Sequence, residues 1–456
     1  MRAGNPHAGA ADRLRPPHRR AEARAAADRA LDRVAAPHEA SQPAVDGTPP
    51  NPAGRRPPGG DRVRVCLLTP EFLPTWGGVG TYTYNLARAL RGRAEVHVVT
   101  SARGCMAAEA DDLDGVQVHA IEADGGRTDG LGLAFQLAVL RRLPGLAKAH
   151  GFDIVHANHA YMSDLLARRR LSAIPALTVH TTLGTQIQGT LRAGDSVPRN
   201  GSERSVARWR LLLRRIERRY LRRTSALIYV SRWVRDSSIS HYGLQPRFET
   251  VIPNGVDTAR LNGTSRDGET DRRPDDGRTL LFAGRLLALK GIDTLLRALG
   301  RLDPEVRLLL AGPGDTTRWT RYADRLGVGR DRYEFLGPVP YGLMPALYHR
   351  ADAVVLPSFA ESCPMVALEA MACGTPLIAA RAGGVTEIVR DGATGWLFPP
   401  GDVDGLVDRI ETVFANPARA EEIANGGRDW VERNGSVDRM AERTFRFYKV
   451  VAGEAS

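Results

Sequence analysis

Lysine is nearly missing from this chain: of 63 lysines and arginines in 456 residues, only Lys148, Lys290 and Lys449 are lysines, which leaves 60 arginines. Such a skew reflects codon usage more than guanidinium chemistry, so the net charge of +11 is no argument for a nucleic-acid partner, and none is expected. It does single out Lys290, a lysine kept where arginine is the default, as a position that wants a compact ammonium. Cysteine is scarce as well. Cys66, Cys105, Cys363 and Cys373 share no metal-ligand spacing and read as reduced thiols, with Cys363 alone placed where it could meet a ligand. No uncharged apolar run reaches the ~18 residues of a membrane span. The N-terminus is charged and rich in proline and alanine, with no apolar core, so it is not a secretory signal and the expectation is a cytoplasmic protein. With 43% hydrophobic and 6% aromatic residues, the rest has the composition of an ordinary globular chain of two or three domains.

Residues 1–60 carry ten arginines against six acids without sustained apolar periodicity, and are expected to be a disordered extension with at most a transient helix over 21–34. From Val63 onward, short apolar runs alternate with helical stretches, the pattern of parallel sheets covered by helices. Strands are expected at 63–69, 95–100, 116–121, 154–157, 176–180 and 226–230, giving a first Rossmann-like domain over 61–256. The polar segment 257–278 reads as an interdomain linker. A second series, at 279–283, 306–311, 333–336, 353–356, 377–380 and 396–398, gives a second Rossmann-like domain over 279–435, followed by a helical segment over 436–456. Two doubly wound halves present the carboxyl ends of their strands to a shared cleft.

The stretch Pro357–Val389 carries the chemistry. An apolar strand and a Pro-Ser turn lead to Glu361; a helix then starts near Pro364, with Glu369 expected about two turns in. Free amides at that start, from Met365 and Val366 because proline has none, suit a phosphate, while carboxylates on either side suit sugar hydroxyls. Gly77-Gly78-Val79-Gly80 opens the first helix, where Gly78 lets the backbone approach a phosphate; it is not the G-x-G-x-x-G of redox dinucleotide folds. His180 ends an apolar run at a strand's carboxyl end. Arg285 and Lys290 lie in Phe282–Gly291, after the first strand of the second domain.

Taken in order with Thr69–Gly80, His180 and Val251–Asp257, the block resembles the E-x7-E signature of retaining glycosyltransferases of the GT-B fold, family 4, over about 63–423. The resemblance implies an α/β fold with two Rossmann-like domains and a last helix that crosses back to the first. It implies transfer of a hexosyl unit from a nucleoside-diphosphate sugar, UDP- or GDP-hexose, to an acceptor hydroxyl with retention. Catalytic roles fall to Arg285 and Lys290 against the departing diphosphate, to Glu361 against the sugar, and to His180 as a sugar contact. Gly78, Met365, Val366 and Glu369 bind the donor, Glu369 at the ribose. Two alternatives share the architecture: a nucleotide-sugar epimerase and a non-catalytic nucleotide-sugar-binding protein. A glucan synthase fits less well, because such relatives carry a lysine before the Gly-Gly loop where this chain has Trp76.

No metal is expected. Of the D-x-D triplets, Asp112–Asp114 and Asp402–Asp404, neither follows a strand in the right place, and Asp402 reads as a helix N-cap. No role is assigned to Glu387. The segment 203–223 is a helix with nine arginines opposed by Glu203 and Glu217, its stripe Val206, Trp209, Leu213, Ile216 and Tyr220 expected to pack on the first sheet. Its outer face is either solvated or binds an anionic surface, such as phospholipid headgroups at the inner face of the membrane or an acidic acceptor.

Overall fold

The computed structural model describes residues 62–72, 77–102, 113–122, 133–159, 162–194, 197, 199, 201–262 and 278–453. The extension 1–60, the centre of the expected linker, Trp76, Cys105 and Asp112 lie outside the described residues.

Strands β1 (Arg64–Leu68), β2 (Glu95–Ser101), β3 (Val116–Ile121), β4 (Ile154–Asn158), β5 (Ile174–Val179), β6 (Ala226–Tyr229) and β7 (Phe248–Val251) form one sheet in the order β3-β2-β1-β4-β5-β6-β7. A second sheet, in the order β10-β9-β8-β11-β12-β13, holds β8 (Thr279–Ala283), β9 (Arg307–Ala311), β10 (Tyr333–Gly337), β11 (Ala353–Leu356), β12 (Leu377–Ala380) and β13 (Trp396–Phe398). Every pairing is parallel. Parallel strands are covered on both faces, which is why β11 and β12 are buried at every residue and read as continuous apolar runs. Each sheet reverses its building direction once, at β1 beside β4 and at β8 beside β11, and the crevice at such a reversal is where open α/β sheets bind ligands.

The helices of the first half are α1 (Gly78–Leu90), α2 (Leu133–His150), α3 (Leu183–Arg192), α4 (Gly201–Arg222), α5 (Arg232–Tyr242) and α6 (Thr258–Asn262). Those of the second are α7 (Ile292–Leu299), α8 (Thr316–Arg325), α9 (Met344–Arg350), α10 (Met365–Ala372), α11 (Val385–Ile388), α12 (Val403–Ala415), α13 (Pro417–Asn434) and α14 (Val437–Gly453). Helix α14 returns to the first half and packs on α1, where Tyr448 Oη lies 2.5 Å from His156 Nδ1 on β4. The two segments that cross between the halves run side by side: Val256 donates to Gly435 O at 2.9 Å and Val437 to Val256 O at 3.0 Å. A Cβ on Gly255 would stand 2.6 Å from Ser436 O, so only glycine allows that approach.

Four local expectations need correction. Strand β7 has no counterpart in the sequence reading, because its four residues Phe-Glu-Thr-Val lie at the sheet edge with none fully buried. The start of the expected linker folds as α6, held where Asp257 Oδ1 accepts the Arg260 amide at 3.1 Å and where the Cys373 thiol meets Leu261 O. In α4 the stripe splits: Leu213 and Tyr220 are buried and Ile216 half-buried, but Trp209 is 55% exposed, with Leu211 and Leu212 beside it at 71% and 52%. The Val206 side chain lies outside the described residues. Glu217 does not oppose the arginines; it is buried, accepting the Leu183 amide at 2.9 Å and the Tyr242 hydroxyl, with His159 Nε2 3.0 Å away.

Candidate active site

Because β8 and β11 are neighbours, the loops leaving their carboxyl ends meet. After β8 the chain makes a 3-10 turn over Ala288–Lys290 and a left-handed residue at Gly291 (φ 72°). A Cβ at Gly291 would fall 2.0 Å from Pro357 O, so glycine lets this turn lie against the loop after β11. Phe359 N–H donates to Leu289 O at 2.9 Å and fixes the register of the two loops. The result is a short charge cluster: Lys290 Nζ donates to Glu361 Oε1 at 2.5 Å, and Ser358 Oγ donates to the same oxygen at 2.7 Å. The side chains are 21% and 9% exposed, so the pair is held in partial burial, where an ammonium–carboxylate bond is stronger than in water. Arg285 stands before the turn, exposed to solvent.

Helix α10 begins at Met365 with Pro364 in the capping position and no side-chain cap. The amides of Met365 and Val366 are first-turn groups that no intrahelical carbonyl reaches. The preceding loop is tied from the other half, since Asn254 Nδ2 donates to Cys363 O at 2.7 Å. Cys363 itself is buried, with its thiol pushed up to about 12 by desolvation, which makes it a packing residue and not a nucleophile. Glu369 is the fifth residue of α10, little more than one turn in. It is buried; Tyr348 Oη donates to its Oε2 at 2.6 Å, and burial lifts its carboxyl from 4.5 to about 7.

On the first half, His180 follows the carboxyl end of β5 and lies 2.9 Å through Nε2 from Asn158 Oδ1, whose amide donates to Thr83 Oγ1 at 2.9 Å. Tyr82 meets the His180 ring edge-on at 4.6 Å. Burial and the neighbouring His156 and His159 lower its basicity to about 3, so the ring is neutral and a weak base. The first helix starts with Gly77 as its uncapped N-cap, and the space beside Gly78 is open, with nothing within 4 Å of an added Cβ.

The structure therefore joins Lys290 to Glu361, sets Arg285 on the same loop, and puts Met365, Val366 and Glu369 on the helix that follows. His180 and Gly78 belong to the facing half and make no hydrogen bond to that set among the described residues. Sequence reasoning passed over Ser358, Asn158, Tyr348 and Asn254. The signal for Asn158 was a polar residue ending an apolar strand, for Ser358 the Pro-Ser turn, and for Asn254 its place in Val251–Asp257, though not its partner 109 residues away; Tyr348 gave none, its partner being 21 residues away. It also left Glu387 without a role, yet this carboxylate spans the halves, accepting the first amides of α5 from Arg232 at 3.0 Å and Trp233 at 2.8 Å. Asp402 caps α12 through the Gly405 amide at 3.0 Å, as its N-cap reading expected, and Asp404 pairs with Arg301. A cavity of 310 Å³ between the halves is lined by Gln188, Arg192, Trp233, His241, Ala360 and Gly383 among others, next to Glu361 in sequence but not lined by it or by Lys290.

Comparison with known proteins agrees with this layout. Residues 76–260 match Glycosyltransferase Family 4 and residues 266–430 match Glycosyl transferases group 1. The D-inositol 3-phosphate glycosyltransferase of Geodermatophilus obscurus is 31% identical over 409 residues, 82% of this chain and 87% of that protein. The glycogen synthase of Mycobacterium tuberculosis is 30% identical over 412 residues, 85% and 94% of the two chains. Among solved structures, HepE of Anabaena in complex with UDP and glucose superposes with a TM-score of 0.68 at 21% identity, over 84% of this chain and 99% of that one. The chain belongs to the group 1, family 4 glycosyltransferases, with the GT-B fold, and it is a glycosyltransferase.

Proposed function

We propose that the protein moves a hexosyl unit from a nucleoside-diphosphate hexose, UDP-hexose first among the candidates, to an acceptor hydroxyl with retention at the anomeric carbon and without a metal ion. The observation that carries this is the Lys290–Glu361–Ser358 cluster at the β8/β11 crevice. When the bond from the anomeric carbon to phosphate oxygen breaks, negative charge grows on the diphosphate; Lys290 and the exposed Arg285 supply the countercharge a metal would otherwise bring. The α10 amides of Met365 and Val366, with the open backbone at Gly78 opposite, complete a phosphate cradle. Glu361 accepts from sugar hydroxyls, Glu369 from the ribose, and neutral His180 contacts the sugar. The acceptor's hydroxyl proton leaves on the departing phosphate oxygen. That the Anabaena structure contains UDP and glucose supports the choice of base and sugar.

The test is a thermal-shift screen with UDP-, GDP- and ADP-hexoses, followed by turnover of the donor that binds. One donor should raise the melting temperature. Lys290→Ala should keep most of that shift yet lower turnover about 100-fold, since it meets charge that exists mainly in the transition state. No shift with any donor sinks the proposal, and an epimerised donor formed without acceptor replaces it with the epimerase. Retention is read from the product's anomeric proton coupling.

The same reading extends to where the acceptor is met. No helix among the described residues is long and apolar enough to cross a membrane. Helix α4, with Trp209, Leu211 and Leu212 exposed among arginines, supports peripheral contact with an anionic bilayer.

A further inference from the structure

Three histidines converge at the β3 edge of the first sheet. His97 is the third residue of β2, His119 lies on the edge strand β3, and His150 is the last residue of α2. The active-site residues sit at or beyond the carboxyl ends of strands, whereas His97 and His119 lie within β2 and β3 and His150 precedes the start of β4. One ligand nitrogen from each imidazole lies within 4.8 Å of the other two, and among the described residues this is the one group of three or more His, Cys, Asp or Glu that meets so closely.

We propose that His97, His119 and His150 form a binding site for one divalent transition metal of the zinc type, a structural site apart from the transfer reaction. Two nitrogens on one tetrahedral zinc, each about 2.0–2.1 Å from the ion, stand about 3.3 Å apart. His97 Nδ1 and His119 Nε2 are 3.0 Å apart in a hydrogen bond, and with the His97 proton on Nε2 the shared proton sits on His119 Nε2, from which an ion would displace it to Nδ1 or to solvent. The far side of His97 is prepared in the way metal-binding imidazoles are: its Nε2 lies 3.0 Å from Glu95 Oε1. A bond there places the proton on Nε2 and leaves the Nδ1 lone pair facing the other rings, the carboxylate–histidine–metal arrangement.

The rings are held. His97 is fully buried, its ring parallel to that of His119 within 3° at 5.3 Å. Phe152 packs on His97 at 4.9 Å and stacks on His150 at 5.8 Å. His119 and His150 are half-buried, which gives an ion its way in. Arg64, a cation beside the cluster, is engaged elsewhere: its guanidinium donates to His150 O at 3.0 Å and lies 3.9 Å from Asp153 Oδ2. A metal here would staple the edge strand β3 and the end of α2 to β2, three elements otherwise joined by apolar packing and one strand pairing. Three imidazoles suit zinc, nickel or copper over magnesium or calcium, which take oxygen ligands.

The experiment uses the full chain, purified without a polyhistidine tag and stripped with chelator. Zn²⁺ binding is measured by equilibrium dialysis, and Co²⁺ binding by its visible absorption. One ion per chain is expected, with the Co²⁺ spectrum of a four-coordinate nitrogen-rich site. His119→Asn and His150→Asn should each weaken Zn²⁺ binding about tenfold or more, and the exposed Glu95→Gln, which leaves all three ligands in place, by about tenfold. Donor-induced thermal shifts should be unchanged in all three variants, which separates this site from the transfer reaction. No stoichiometric Zn²⁺ uptake, or uptake that His119→Asn and Glu95→Gln both leave intact, overturns the proposal.

Discussion

Glu369 carries a cost that its position imposes. Burial lifts its carboxyl from 4.5 to about 7, against the Tyr348 hydrogen bond, which lowers it. Between those values the folded chain keeps a proton that the unfolded chain has released, so stability falls as pH rises through that window and is level above it. Glu369→Gln copies the protonated form and still offers an oxygen to the Tyr348 hydroxyl. It should therefore change stability little at about pH 4 and raise it by about 3 kcal/mol at about pH 8, read by urea unfolding. An equal effect at both pH values would mean that the carboxyl is not held neutral. The second glutamate of the signature was legible in the sequence from its spacing; its desolvation was not, because burial is set by tertiary packing around α10. Lys290 was legible for the opposite reason, as a lysine in a chain that otherwise uses arginine.

At the scale of elements, nearly every parallel strand could be read from the chain, since strands buried on both faces are unbroken apolar runs. The edge strand β7 escaped that signal, as did the short helix α6, which tertiary contacts make and local pattern does not. Helix α4 was legible as a basic amphipathic helix, but which apolar residues face inward depends on the phase set by Leu213, Glu217 and Tyr220. With Trp209, Leu211 and Leu212 left outside, the chain should co-sediment with phosphatidylglycerol vesicles at low salt and release them at about 500 mM, where charges are screened within a few ångströms. The double change Trp209→Ser with Leu211→Ser should reduce the bound fraction at low salt. Failure to bind such vesicles at low salt removes the membrane contact. The first turn of the same helix reaches the second half, where Glu203 Oε1 accepts the Ala288 amide at 3.0 Å, two residues before Lys290. A surface bound by α4 is thereby one hydrogen bond from the loop that carries the ammonium.

For the whole molecule, the two halves meet along a narrow line that includes Glu203 to Ala288, Glu387 to the start of α5, and Gly189, whose added Cβ would stand 2.8 Å from Ala360. Beside them runs an apolar seam, since one buried cluster holds Val234, Val256 and Leu261 of the first half together with Leu368, Met371 and Val385 of the second. The paired crossings at Val256 and Ser436 supply the pivot. Donor should draw the halves together, so the radius of gyration from small-angle scattering should fall when the donor identified by thermal shift is added, and an unchanged scattering profile would argue for a fixed cleft. That both sheets are parallel and covered by helices followed from the alternation of strands and helices, while the clasp of the two crossings did not, because it joins residues 180 positions apart.

The return of α14 also decides how this chain can be recombined. Its Tyr448 hydroxyl touches His156, whose other nitrogen lies 2.7 Å from Thr178, so the tail's last turns complete a polar interior built by the first 180 residues. A hybrid that swaps donor specificity with a homologue must therefore be spliced twice, near Val256 and again near Ser436. Residues 437–453 then stay with the parent that supplies β1 to β7, and a single-junction hybrid would bring in a foreign tail with no matching socket.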